Sequence, residues 1–156
     1  MNAKKPDDKK NKLLRITAGL YLQKVIKYLR ISIKEHPSGF TFNINDLKLK
    51  TSFSPEIYLV GQREHGKSFK VDPKPSELMV WLCSNLSAIY KRGGLIGGWW
   101  NTDGIFFLDV VLAIDGRENA MSSGWMNGEE AIYHPYSNRP IKVEMPQIDF
   151  HLPEDA

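Results

Sequence analysis

The chain has 156 residues, 42% of them hydrophobic and 25% charged, with 12 glycines and 9 prolines. This is the composition of one folded domain, and it excludes a disordered, collagen-like or fibrous chain. A single cysteine, Cys83, excludes an intrachain disulfide and a cysteine-rich zinc site. The formal charge of +3 divides unevenly: residues 1–34 hold 10 Lys/Arg against 2 Asp/Glu, and residues 35–156 hold 11 against 16. The pattern reads as a basic N-terminal element on an acidic body.

Residues 1–11 read as a flexible basic lead. From 12 to 36 the spacing predicts a basic amphipathic helix: Leu14, Ala18, Tyr21, Leu22, Val25, Ile26, Leu29 and Ile33 share one broad face. Lys12, Lys24, Lys27, Arg30 and Lys34 fall opposite. His36-Pro37-Ser38-Gly39 ends the helix. No uninterrupted apolar run of roughly 18 residues exists and no signal-peptide core is visible, so the expected location is the cytoplasm, without membrane contact.

Residues 37–145 read as an α+β domain. Strands are expected at 40–44, 56–60 and 68–71, then a helix over 77–91 with Ser76 as its N-cap. Strands at 95–100 and 105–114 are joined by Asn101-Thr102-Asp103-Gly104, whose glycine accepts a positive φ. A short helix over 117–126 and a hairpin over 131–143 follow, and 146–156 reads as an extended acidic tail. The fold class is therefore one antiparallel or mixed sheet packed against two main helices, preceded by the basic N-terminal amphipathic helix.

One string has the letters of a phosphate-binding loop: Gly61-Gln62-Arg63-Glu64-His65-Gly66-Lys67-Ser68. In that reading Gly61, Gly66, Lys67 and Ser68 would cradle a nucleotide phosphate. The loop works only when a helix begins at its Lys-Ser end, adding free N–H groups and a dipole. Here an alternating stretch and then Pro73 and Pro75 follow, which disfavour a helix, so a polar turn between strands explains the same letters. No cofactor is expected. His36, His65, His134 and His151 lack metal-site spacing, and no metal is expected either. Cys83, beside Trp81 and Leu82, reads as a buried, inert thiol.

Asp109 interrupts an apolar strand, and a buried acid needs a partner. It reads either as a structural hydrogen-bond acceptor or as a general acid/base, with Asp103 or His134 as companions in the catalytic case. Trp99 and Trp100 are adjacent on a strand, so alternation sends them to opposite faces and one is left for a helix, a partner or solvent. The candidate binding residues are Lys24, Lys27, Arg30, Lys34, Trp99 and Trp100.

The run Gly97-Gly98-Trp99-Trp100-Asn101-Thr102-Asp103-Gly104-Ile105-Phe106-Phe107-Leu108-Asp109-Val110 resembles a pattern in small uncharacterised α+β domains of phages and mobile elements. Ala120, Ala131-Ile132-Tyr133 and Gly39-Phe40-Thr41-Phe42-Asn43 stand at matching places. The resemblance covers about residues 38–145 and implies one compact α+β unit and a mobile-element setting, with no activity attached. The expected function is that of a non-enzymatic binding or accessory protein. Its basic helix and exposed aromatics would meet an acidic protein surface or a second copy of the chain. The alternatives are a nucleic-acid binder using the basic arm and a small enzyme centred on Asp109.

Overall fold

The computed structural model describes residues 6–145; the beginning of the basic lead, with Lys4 and Lys5, and the acidic tail, with His151, lie outside the described residues. The first element is helix α1 (Pro6–Glu35). It starts six residues earlier than hydrophobic spacing predicts, with proline at its first position, where a missing N–H costs nothing. Strands β1 (Phe40–Asn43), β2 (Lys48–Leu49) and β3 (Ile57–Gly61) follow. One 3₁₀ turn (Arg63–His65) then leads to β4 (Lys67–Phe69) and helix α2 (Pro75–Lys91). Next come β5 (Leu95–Trp100), β6 (Phe106–Asp115), helix α3 (Arg117–Met126), β7 (Ala131–His134) and β8 (Arg139–Lys142).

All eight strands join one antiparallel sheet in the order β2-β1-β5-β6-β3-β7-β8, with β4 also paired to β6. Among the described residues the sheet is larger than the sequence reading allows, and three helices accompany it rather than two main ones. The ten-residue β6 is the organising strand. One edge pairs with β5 along Phe106–Val111; the other pairs first with β4 and then with β3. Gly104 takes the positive φ, +76°, that closes the β5–β6 turn.

The helices share one face of the sheet. Alternation along β6 sends Phe106, Leu108 and Val110 into a core with Leu29 and Ile33 of α1 and Leu78, Leu82 and Ile89 of α2. Val60 and Ile132 carry the same face under α3, where they meet Ala120. The opposite face presents Phe107, Asp109, Val111, Ala113 and Asp115. Only a small cluster of Leu59, Leu95 and Val111, edged by Phe53, Ile57 and Tyr133, is packed there.

Three expectations need correction. The α1 stripe is buried in the second half of the helix, at Val25, Ile26, Leu29 and Ile33, whereas Leu14 and Ala18 are exposed. The helix is too long for the body it packs on, so the single amphipathic face does not hold along its length. Lys74, with Pro75 next to it, caps α2 in place of Ser76, and the Glu77 carboxylate accepts the Lys74 N–H at 3.2 Å. Cys83 is exposed, because it is rotated one residue past the buried Leu82.

Candidate functional site

The C-terminal half of α1, the N-terminal end of α2 and the end of β5 enclose a groove of about 1100 Å³. Lys27, Arg30 and Lys34 recur at intervals of three and four, so a helix sets all three on one side, and there they form the basic wall. Ile26, Ile33, Met79 and Trp100 supply apolar surface, while Asp72 and Ser76 stand on the α2 side. The Trp100 N–H donates to Pro37 O at 3.1 Å, fixing the strand end beneath the exit of α1. Its indole leans on Phe106, centroids 5.2 Å apart. Among the described residues Glu64 meets Arg92 at 3.6 Å and the His65 ring at 3.2 Å, and neither contact uses a groove cation.

Four of the six candidate binding residues therefore converge on one groove. Lys24 is exposed but lies outside the groove's lining. Trp99 is on the other face of the sheet, 45% exposed and stacked on Phe107 with centroids 4.9 Å apart. The two indoles are separated by the sheet itself.

Asp109 lies where β6 loses its edge partner between β3 and β4. Its carboxylate faces Gly61 and Gly66, together with the carboxylate of Glu129 from the loop after α3. Burial pushes the Asp109 carboxyl up to about 6. Burial, and then the Asp109 charge, push Glu129 up to about 7, opposed by a backbone hydrogen bond and the guanidinium of Arg63. Arg63 in turn donates to Gly128 O at 2.8 Å. The sequence gives no sign of Glu129, because it meets Asp109 through a chain separation bridged only by folding.

The expected companions of Asp109 are elsewhere. Asp103 sits in the exposed β5–β6 turn, its N–H on Asn101 Oδ1 at 2.9 Å. His134 stacks on Tyr58, and its ring nitrogens contact Ser137 Oγ at 2.5 Å and Pro55 O at 2.7 Å. Tyr58 belongs to the α3 side of the sheet, so His134 and Asp109 do not share a site.

The segment Gly61 to Ser68 closes the gap between β3 and β4. Lys67 and Ser68 enter a strand where a phosphate loop would begin a helix, and the Lys67 ammonium lies 5.3 Å above the Phe69 ring. The turn is tied to α2 instead. The buried Gln62 accepts from Arg92 Nε at 3.2 Å, Trp81 Nε1–H donates to His65 O at 2.9 Å, and His65 Nδ1 meets Asn85 Oδ1 at 2.9 Å. Gly61, Gly66, Lys67 and Ser68 thus form a strand crossing, without the geometry of a phosphate cradle.

Among the described residues no helix is long and apolar enough to cross a membrane, and no group of three or more His, Cys, Asp or Glu side chains is placed to hold a metal ion. No protein-family model, curated protein or solved structure matches the chain. The resemblance to domains of mobile elements accordingly gains no support from these comparisons.

Proposed function

We propose that this chain is a non-enzymatic binding protein that takes an acidic segment of a partner protein into the groove between α1 and α2. The reading rests on one observation: Lys27, Arg30 and Lys34 stand over an apolar floor that includes Trp100 and Met79. Carboxylates of a bound segment would meet the cations, and an apolar side chain would seat against the indole, the residue type that most often anchors interfaces. A duplex or single strand of nucleic acid would use the same cations, but the mixed floor and the nearby Asp72 suit a peptide better than a row of phosphates.

Selection from a random peptide library tests this reading. Peptides combining Asp/Glu with an aromatic or aliphatic residue should be enriched by the native protein, and lost with the triple variant Lys27→Glu, Arg30→Glu, Lys34→Glu. Enrichment indifferent to that variant overturns it. So does binding of a mixed-sequence oligonucleotide at low salt in the absence of any selected peptide, which would transfer the groove to nucleic acid.

A further inference from the structure

The hairpin of β7 and β8 holds a pair of side chains that its own turn does not need. The backbone already closes that turn: Asn138 N–H donates to Pro135 O at 3.2 Å, and His134 faces Arg139 in the ladder. Tyr133 O–H adds a contact to Asn138 Oδ1. A serine that serves a turn bonds to nearby backbone. Among the described residues, Ser137 Oγ instead bonds to His134 Nδ1, at 2.5 Å.

A residue distant in the chain fixes which nitrogen of His134 carries the proton. Pro55 O can only accept, so Nε2, 2.7 Å from it, is the protonated nitrogen. In the neutral ring Nδ1 is then a bare lone pair, and the Ser137 hydroxyl donates to it. Tyr58 stacks on the imidazole with centroids 4.7 Å apart, and Tyr136 lies tilted against it at 6.2 Å, so the ring is held in place. A hydroxyl donating to a base that a third group orients is the arrangement that activates a serine nucleophile. Ser137 is half-buried and so remains within reach of a reagent. Arg139, opposite His134 in the ladder, puts a cation on the same side of the hairpin, suited to the charge that develops on an acyl oxygen.

We propose that Ser137 is a site of covalent acylation, with His134 as its base and an activated aryl ester as the acyl donor. Ser137 Oγ bonds to the acyl carbon, and the bond from that carbon to the aryl oxygen breaks. The Ser137 proton passes to His134 Nδ1 and from there to the departing aryl oxide. Nothing is oxidised or reduced. The Tyr136 ring, 65% exposed, gives a planar leaving group a surface to stack on. The hairpin packs with α3 and shares no residue with the α1/α2 groove, so the acylation stands or falls apart from the groove's occupant.

Treatment of the full chain with p-nitrophenyl acetate, followed by peptide mass mapping, tests it. Ser137 should gain an acetyl group about 100-fold faster in the native protein than in the urea-unfolded chain, the scale of general-base catalysis. Acetylation of the exposed lysines supplies the reference for the ester's reactivity in each sample. His134→Asn keeps a side chain that can hydrogen-bond to Ser137 but removes the base, and should slow the reaction at Ser137 about 100-fold. The native reaction should also be slower in D2O than in H2O, because a proton moves in its transition state; this measurement needs no variant and so does not depend on how well His134→Asn folds. Acetyl groups confined to lysines overturn the proposal. So does acetylation of Ser137 at equal rates in the native and unfolded chains, in a folded His134→Asn variant, or in the two solvents.

Discussion

A methyl group on Gly66 would collide with Oδ1 of Asp109, although the backbone of Gly66, at φ −78° and ψ 153°, is open to any residue. Space, and not conformation, makes this position glycine, and the same closeness keeps water from Asp109. Burial raises Asp109 to about 6 from its usual 3.8, and Glu129 rises to about 7 from 4.5. Both carboxyls bind protons more tightly in the fold than in the unfolded chain. Their contribution to stability is complete below about pH 4 and is lost as pH rises through the folded values. Urea unfolding should accordingly show a protein less stable at pH 8 than at pH 5. Asp109→Asn should flatten that dependence and raise stability at pH 8 by on the order of 2 kcal/mol. A native stability that does not fall across this window, or that falls equally in the variant, contradicts the burial of this carboxylate. The sequence singled out Asp109 as an acid in an apolar strand, but it named Asp103 and His134 as companions. Those residues are near in the chain or chemically apt, and neither property brings side chains together.

Helix α1 shows how far periodicity reaches at the scale of an element. Its spacing identified the helix and the buried positions Val25, Ile26, Leu29 and Ile33. The same spacing put Leu14 and Ala18 on that side too and left open whether the helix packs or projects; both are exposed, because a helical period says which residues share a side and not where the body underneath ends. Leu29→Ala should therefore cost about 2–5 kcal/mol in chemical denaturation, the range for a filled core position. Leu20→Ser should stay within about 0.5 kcal/mol. Equal costs would mean that the first half of α1 packs on its own body. Strand β2 escaped the sequence because it is two residues long and is entered through Leu47 at φ +59°, too short for alternation to register. The helix at 117–126 was legible from the Asn127-Gly128 that ends it, and the hairpin of β7 and β8 from the turn residues Tyr136-Ser137-Asn138 between them.

The whole molecule is a one-sided sheet built around β6, with α1, α2 and α3 on one face and a sparse apolar cluster on the other. β5 with β6 and β7 with β8 are hairpins, whereas β1 with β5 and β3 with β6 join segments distant in the chain. In native-state hydrogen exchange the central amides of β6, protected by strands on both sides, should open only with global unfolding. Those of β2 and β8, at the two ends of the sheet, should exchange at clearly lower free energy. Central amides exchanging as fast as edge amides would show that the sheet is not one cooperative unit.

The sequence by itself determined the class of the fold, most of the elements and the cations that a helix places on one side, since these follow from local periodicity and turn chemistry. It also determined that Trp99 and Trp100 must part, because alternation in a strand allows nothing else. Only the tertiary structure decided that Lys27, Arg30, Lys34 and Trp100 share a groove, that Asp109 answers to Glu129, and that the first half of α1 packs on nothing described. Those outcomes depend on strand order and on the extent of the body beneath each helix, which pairing between distant segments sets and which no local pattern encodes.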